Sequence, residues 1–199
     1  MLKLGLTGSI ATGKSTVLNA FAELGVPVFS ADAAVHELYA GAAVGPVDAA
    51  FPGVAREGRI DRQALSARLL AAPERIAELE GIVHPLVRQR IADFFRDSEV
   101  AGASLAVADI PLLYEGGYDY GLDQVAVTVV DEAEQRRRAL ARPGMTVEKL
   151  EGLLARQLPQ AEKARRADYV LDTSRPIPEM KMAVAALVER LRKKAEGGR

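Results

Sequence analysis

Apolar residues occupy every second position at the start of the chain, at residues 2, 4 and 6, which is the period of a β-strand. The strand pattern breaks at Gly8 into a loop. Apolar residues then recur with helical spacing, which predicts a helix whose inward-facing side chains are Val17, Leu18, Phe21 and Leu24. Gly25 ends this predicted helix, and a second short strand is predicted at residues 26–29. The chain therefore opens with a strand, helix, strand unit.

Three further apolar runs, at residues 105–110, 125–130 and 169–171, are typical of strands buried on both faces. Five strands separated by helices predict a parallel sheet in an α/β fold. Residues 30–104 have a mostly helical pattern, clearest at residues 73–95, and are too long for a simple crossover. We therefore predict a helical insertion between the second and third strands.

The segment that follows the fourth strand is charged and rich in arginine. Pro143 and Gly144 divide it into two predicted helices, and Pro159 marks a second break. Its composition and breaks resemble a mobile lid. A last amphipathic helix is predicted at residues 178–194.

Composition narrows the classes of protein. The 199 residues, 49% of them hydrophobic, suffice for one domain with its own core. A formal net charge of -1 gives no global attraction to nucleic acid or to an acidic membrane, and no apolar run reaches the ~20 residues of a membrane-spanning helix. The absence of cysteine excludes disulfides and suits a reducing compartment. We therefore expect a cytoplasmic protein without nucleic-acid or membrane partners.

One segment carries a specific chemical signature. Residues 8–15 match the pattern G-x-x-x-x-G-K-[ST] in full, after a predicted strand and before a predicted helix. They are Gly8, Ser9, Ile10, Ala11, Thr12, Gly13, Lys14 and Ser15. The backbone N–H groups of such a loop converge on an anion, Lys14 adds a positive charge, and the Ser15 hydroxyl is a ligand for Mg²⁺. The pattern predicts that the chain binds a nucleoside triphosphate.

The loop alone does not separate kinases from GTPases or from regulatory ATPases, because all of them use it. GTPases generally read guanine with an Asn-Lys-x-Asp loop. The only asparagine of this chain is Asn19, inside the first predicted helix. A GTPase of that type is therefore excluded.

Two aspartates lie at the carboxyl ends of predicted strands, at the edge where open α/β sheets bind ligands. The carboxylate of Asp32 can accept the proton of an attacking hydroxyl or can cap the next helix, and its position alone leaves both roles open. Asp109 ends an apolar run as in a Walker-B strand, whose carboxylate reaches Mg²⁺, and a turn or capping role is the alternative.

Arg138 and Arg142 stand four residues apart on the predicted lid helix and so share one face. Two like charges there are unfavourable unless an anion joins them. A triphosphate is such an anion, and arginines that close over it can stabilise charge in the transition state. Arg136 and Arg137 are expected to form a solvated face instead.

The two histidines predict no metal centre. His84-Pro85 lies within a helical pattern and predicts a helix boundary with proline in the first turn. His36 is expected on a helix surface. Without cysteine, the chain contains no recognisable zinc site.

Together these segments resemble one family, the dephospho-CoA kinases, over nearly the whole chain. The resemblance rests on residues 6–16, 31–32, 58–62, 84–86 and 109–115. Downstream, a similar register is found at Gln135, Arg138, Arg142, Gln157 and residues 167–168.

The resemblance implies a P-loop nucleoside triphosphate hydrolase fold in a single domain of residues 1–199, with a five-stranded parallel sheet. The implied parts are a core of residues 1–32, 101–131 and 168–199, a helical acceptor insertion of residues 33–100 and a lid of residues 132–167. The implied reaction uses ATP and Mg²⁺ to phosphorylate the ribose 3′-hydroxyl of dephospho-CoA, which gives CoA and ADP in the last step of coenzyme A biosynthesis.

It also implies a role for each candidate residue. Asp32 would be the catalytic base, assisted by Lys14 and Arg138. ATP would contact the loop up to Thr16 together with Arg142, and Mg²⁺ would be held by Ser15 and Asp109. The acceptor would contact Thr7, Asp32, Arg62, His84, Asp109, Pro111, Leu112 and Leu113.

Some positions depart from the family pattern. Ser30 stands where a first aspartate is frequent, and Ser9 and Ala11 replace common glycines. The two loop changes keep the backbone donors, so we expect them to be tolerated. Thr173 replaces a frequent asparagine in the presumed adenine loop.

Two other functions stay open at this point. One is a nucleoside or nucleotide kinase of related fold, in which Asp32 serves another acceptor. The other is a nucleotide-dependent switch or regulatory ATPase, although neither a switch element nor an interaction surface is recognisable. We expect a monomer or a weak homo-oligomer.

Overall fold

A computed structural model of the chain describes residues 1–197, so the last two residues of the predicted core, Gly198 and Arg199, lie outside the described part. The chain divides into two compact units. One comprises residues 1–29 and the chain from residue 95 onward, and the other comprises residues 30–94. The predicted insertion of residues 33–100 overlaps the second unit.

The elements follow in chain order. The strands are β1 (Leu2–Gly8), β2 (Val28–Ser30), β3 (Ala55–Arg56), β4 (Arg59–Ile60), β5 (Leu105–Asp109), β6 (Gln124–Val129) and β7 (Tyr169–Asp172). The helices are α1 (Lys14–Glu23), α2 (Ala31–Leu38), α3 (Val44–Ala50), α4 (Arg62–Ala71), α5 (Ile76–Val100), α6 (Glu132–Leu140), α7 (Val147–Ala155), α8 (Gln160–Arg166) and α9 (Ile177–Gly197). A short 3₁₀ helix covers Pro73–Arg75.

The main sheet has five strands in the order β2-β5-β1-β6-β7. Strand β1 lies in its centre and pairs in parallel with β5 and β6, and β7 pairs in parallel with β6. The predicted parallel α/β sheet is thus confirmed. Because all strand ends meet at one edge, the loops after β1, β5, β6 and β7 are brought together there.

The core of this unit lies between the sheet and two helices. The leucines of β1 pack with α1 and α9, and Leu4, Phe21 and Leu191 are fully buried. The prediction that Leu24 faces inward is wrong, since it is 38% exposed. Helix α1 ends at Glu23, and the left-handed Gly25 (φ 70°) then turns the chain away.

The second unit has a small core of its own that includes Val47, Phe51 and Ile60. Strands β3 and β4 form an antiparallel hairpin that the periodicity did not predict. Its two-residue turn has positive φ at both Glu57 and Gly58, as a type I′ turn requires.

The helix boundary predicted at His84-Pro85 is wrong, because Pro85 lies inside the continuous helix α5. Proline there lacks an N–H and leaves one backbone carbonyl without its helical partner, which the remaining turns of the long helix tolerate. Among the described residues, no helix combines the length and the apolar character needed to cross a membrane.

Candidate active site

The loop between β1 and α1 adopts two left-handed backbone positions, Ala11 (φ 61°) and Gly13 (φ 78°). Such turns point successive N–H groups into one concave surface, where an anion binds. Gly8 is required for a different reason. A Cβ there would lie 2.1 Å from the Oγ1 of Thr128 and 2.6 Å from the Oγ1 of Thr12, so only glycine fits.

Buried hydroxyls support the loop from below. The Thr12 hydroxyl donates to the carbonyl oxygen of Ser9 (2.8 Å) and contacts the Thr128 hydroxyl of β6 at 2.7 Å. Thr7, predicted to contact the acceptor, is fully buried, and its hydroxyl donates to the carbonyl oxygen of Pro111 at 3.2 Å. The structure therefore places Thr7 beneath the loop that follows β5.

The two charges predicted for catalysis and metal binding meet at the carboxyl edge of the sheet. Lys14 is the first residue of α1, and its Nζ forms an ion pair with Oδ1 of Asp109. Their side chains are only 13% and 3% exposed. Asp109 is aligned with Leu6 in the parallel register, which sets it beside the beginning of the loop. Attraction between unlike charges is strong in such a poorly solvated place.

Ser15 and Thr16 lie exposed in the first turn of α1, so their hydroxyls are accessible to a ligand. Pro111 and Leu112 are half-buried and Leu113 is buried in the loop after β5. Within residues 1–197, no group of three or more His, Cys, Asp or Glu side chains could hold a metal ion. A divalent cation at Ser15 and Asp109 would therefore need further oxygen ligands from a bound nucleotide.

Arg138 is held at three points. Its Nε donates to Oε1 of Glu134 (2.7 Å), and its two terminal nitrogens donate to Oγ1 and to the carbonyl oxygen of Thr173, at 3.1 and 2.8 Å. Hydrogen bonds from Arg137 and Arg138 lower the pKa of Glu134 to about 2, so this carboxylate stays charged at neutral pH. The guanidinium is thus fixed in one orientation before any phosphate binds.

Thr173 connects this arginine to the loop. Its hydroxyl donates to the carbonyl oxygen of Thr12 at 2.9 Å, and its side chain lies within 3.3 Å of where a Cβ on Gly13 would stand. The departure from the family pattern at this position therefore has a structural consequence. Threonine ties β7 to the loop and to Arg138 at once.

A cavity of about 350 Å³ opens beside the loop. Its walls are Ala11, Gly13, Thr16, Glu134, Arg137, Arg138, Arg142, Thr173, Arg175, Ile177 and Met180. It combines four arginines with three apolar side chains, which suits a flat base attached to phosphates. Arg175, Ile177 and Met180 were missed by the sequence analysis, although their position just after β7, at the binding edge of the sheet, is a usable signal.

The expectation that Arg138 and Arg142 share one helix face is wrong. Helix α6 ends at Leu140, so Arg142 lies beyond it. Pro143 disfavours helical geometry in the residue before it, and Gly144 turns with φ 73°. Both arginines still line the same cavity.

Three glutamines form a chain of hydrogen bonds to the apex of the loop. Gln157 accepts from the Ile10 N–H (2.9 Å), and Gln135 donates to the Ile10 carbonyl oxygen (2.8 Å). Gln160 in turn donates to Gln135 and accepts from the N–H of Val130. The sequence identified Gln135 and Gln157 only as positions that match the register of the family, and it predicted no role for either.

Apolar contacts reinforce this attachment of the predicted lid. The methyl group of Ala11 is buried in a cluster with Ala139 of α6 and Leu150 of α7. Ile10 packs against the same cluster. The helices between residues 132 and 167 thus hold the loop through both its backbone and its side chains.

In the second unit, Asp32 is exposed in the first turn of α2. The residue that caps this helix is Ser30, whose hydroxyl accepts from the N–H of Ala33 at 3.3 Å. The capping role weighed for Asp32 is therefore wrong. Its carboxylate is left available for other partners.

Arg62 and His36 meet in this unit, with 3.0 Å between Nη1 of Arg62 and Nε2 of His36. His36 is exposed, as expected for a residue on a helix surface. Burial raises the pKa of the nearby Tyr39, and the charge of Arg62 opposes that shift. His84 is exposed in the middle of α5. The structure thus adds His36 and Tyr39 to the surroundings of Arg62.

The parallel sheet, the loop and the lysine at its end define a P-loop nucleotide-binding protein, and arginine-bearing helices that cover such a loop are typical of kinases. A family model described as CoaE, dephospho-CoA kinase, matches residues 2–179. The chain belongs to the dephospho-CoA kinase family.

Individual relatives agree with this assignment. A dephospho-CoA kinase of Rhizobium meliloti (strain 1021) is 52% identical over 192 residues, which cover 96% of this chain and 99% of the relative. A crystal structure of TT1252 from Thermus thermophilus has a TM-score of 0.79 at 32% identity and covers 96% of this chain and 97% of its own. A dephospho-CoA kinase structure from Campylobacter jejuni, at 22% identity and a TM-score of 0.69, supports the fold, with 96% and 97% coverage.

Proposed function

We propose that this protein transfers the γ-phosphoryl group of ATP to the ribose 3′-hydroxyl of dephospho-CoA, giving CoA and ADP in the last step of coenzyme A biosynthesis. The observation that carries the proposal is the family match over residues 2–179 of a chain that presents a complete phosphate-binding loop. That the protein is a cytoplasmic monomer or weak homo-oligomer without nucleic-acid partners stays a prediction.

The geometry of the first unit supports the donor side of this proposal. The backbone donors around Ala11 and Gly13 hold the phosphates, and Lys14 exchanges part of its contact with Asp109 for the transferred group. Arg138 and Arg142 approach from the predicted lid of residues 132–167 and stabilise charge that develops in the transition state. The adenosine occupies the cavity beside the loop, whose apolar wall suits its base.

The donor set fits Mg²⁺, which prefers oxygen ligands and keeps several waters or phosphate oxygens in its shell. The Ser15 hydroxyl and, directly or through water, the Asp109 carboxylate would hold it. When bound, the cation neutralises charge on the polyphosphate. The ion pair with Lys14 holds the Asp109 carboxylate beside the loop, which suits this role.

The acceptor side is assigned to the insertion of residues 33–100 together with the loop at Pro111, Leu112 and Leu113. Asp32 comes two residues after the end of β2, and its carboxylate takes the proton of the attacking 3′-hydroxyl. Arg62 and His84 bind the acceptor from the insertion. The contact with Arg62 supports adding His36 to these residues.

A substrate panel tests the proposal. Turnover of ATP is compared with dephospho-CoA, nucleosides and nucleoside monophosphates as acceptors, with Lys14→Ala as the inactive control. Of these acceptors, we expect only dephospho-CoA to give a phosphorylated product. A preference for a nucleoside or nucleotide would move the protein to another kinase class, and equal hydrolysis of ATP with and without acceptor would indicate a regulatory ATPase.

A further inference from the structure

A lysine without any exposed surface lies outside the machinery described so far. Lys163 belongs to α8, and its Nζ is 2.8 Å from Oε1 of Glu115, whose side chain is 14% exposed. The same oxygen accepts the backbone N–H of Leu158 at 2.8 Å. Burial raises the pKa of Glu115, but the contact with Lys163 and backbone N–H donors, that of Leu158 among them, together lower it by more, so the pKa lies below its usual value.

Stability alone is a poor explanation for this pair. Removing two charges from water is so unfavourable that an apolar pair of similar volume often stabilises a protein as well or better. Within residues 1–197, the buried Oε2 of Glu115, the buried hydroxyl of Tyr114 and the buried Nζ of Lys163 have no partner in hydrogen-bond geometry, although Nζ lies at ion-pair distance from Oε1 of Glu115. The desolvation of these groups is thus incompletely compensated. Instead, the pair holds the segments that carry Glu115 and Lys163 at a fixed distance and orientation to each other.

The pair connects the loop after β5, which carries Glu115, to helix α8, which carries Lys163. Glu115 is the last residue of the turn at residues 111–115 in the loop after Asp109, and the first residue of this turn, Pro111, accepts a hydrogen bond from the Thr7 hydroxyl. Leu158 lies between α7 and α8, directly after Gln157, which holds Ile10. Gln157 and Leu158, which are neighbours in the connection between α7 and α8, therefore form hydrogen bonds to the phosphate-binding loop and to the loop after β5, respectively.

We propose that Glu115 and Lys163 are positioning residues that fix the acceptor-side loop of residues 111–115 to the α7–α8 connection. The proposal rests on the proposed function for the identity of the acceptor. The pair touches neither substrate and acts through Pro111, Leu112 and Leu113. It makes the geometry of the acceptor site depend on the same lid that holds the phosphate-binding loop.

The test replaces both partners at once. Glu115→Met combined with Lys163→Met leaves no unpaired buried charge, so its melting temperature should stay within a few degrees of the wild type. The KM for dephospho-CoA should rise about tenfold or more, whereas the KM for ATP should change less than twofold. Arg165→Met, which removes an exposed charge from the same helix, is the matched control and should leave both constants unchanged.

Unchanged constants in a stable double variant would show that the pair is merely structural, and equal rises in both KM values would refute a role confined to the acceptor loop. If the double variant does not fold, Lys163→Met replaces it, since it removes the contact between Lys163 and Glu115 while Glu115 still accepts from Leu158. An unaltered KM for dephospho-CoA there would equally overturn the proposal.

Hydrogen exchange separates this inference from the proposed function, because it needs no turnover. In the wild type, amides of residues 112–116 should be protected. In the double Met variant that protection should fall at least tenfold, while the amides of residues 8–16 keep theirs. Equal protection of residues 112–116 in both proteins would contradict the positioning role, even if dephospho-CoA proved to be the wrong acceptor.

Discussion

Gln157→Met should weaken nucleotide binding without direct contact to the nucleotide. The methionine has nearly the same length but offers no acceptor for the N–H of Ile10, which Gln157 now accepts at 2.9 Å. A loop that has lost this bond samples conformations that do not bind phosphate. The apparent affinity then falls by the fraction of time the loop spends outside its binding shape.

The magnitude follows from the number of bonds. One neutral hydrogen bond contributes about 0.5–1.5 kcal/mol, which corresponds to roughly a two- to tenfold weaker binding of ADP. Gln135→Met removes two bonds, to Ile10 and to Gln160, from a side chain that is 3% exposed, so its effect should be larger. The double variant should be non-additive, since both side chains hold the same residue.

Isothermal titration with ADP measures this directly. Gln157→Glu keeps an oxygen acceptor and should bind more tightly than Gln157→Met. Gln89→Met removes an amide that bonds to Asp93 on an exposed face of α5, and should bind like the wild type. If both lid variants bound ADP within twofold of the wild type, the glutamines would not position the loop.

Three further predictions concern single sites. Gly8→Ala forces a methyl group against Thr128 and should lower the free energy of unfolding by about 1–3 kcal/mol, which corresponds to a melting temperature some 2–10 °C lower. Thr128→Ala should partly restore the stability of this variant. An unchanged melting temperature in Gly8→Ala would contradict the steric argument. The pKa of Glu134 is lowered from 4.5 to about 2, so the stability it contributes is complete above pH 4.5 and is lost as the pH falls towards 2. Glu134→Gln should therefore flatten that part of the melting profile, and an identical profile would speak against its pairing with Arg138. Asp32→Asn should lower kcat about 10² to 10⁴-fold while ADP affinity stays within twofold, and near-normal turnover would remove Asp32 as the base.

The sheet and the loop could be predicted because their signals are local. Alternating leucines in β1 and a complete motif at residues 8–15 depend on few distant contacts. Helix ends were predicted less accurately. Leu24 and Arg142 were both assigned to helices that end one or two residues earlier, next to a glycine with positive φ or a proline.

Other features could not be predicted from the sequence because no periodic pattern marks them. The strands of the β3–β4 hairpin have two residues each, too few to show an alternation. Pro85 inside α5 contradicts the usual rule for proline, which tertiary context overrides here. Residues such as Gln160 and Lys163 are polar side chains on short helices, and only the fold shows that they point inward.

Transfer of phosphate to the 3′-hydroxyl of dephospho-CoA can be followed by ³¹P NMR of the reaction mixture. With ATP and dephospho-CoA, we expect a new phosphate monoester signal coupled to the ribose H3′ proton, in step with ADP formation and absent for Lys14→Ala. A monoester at another position, or inorganic phosphate in place of an ester, would contradict it.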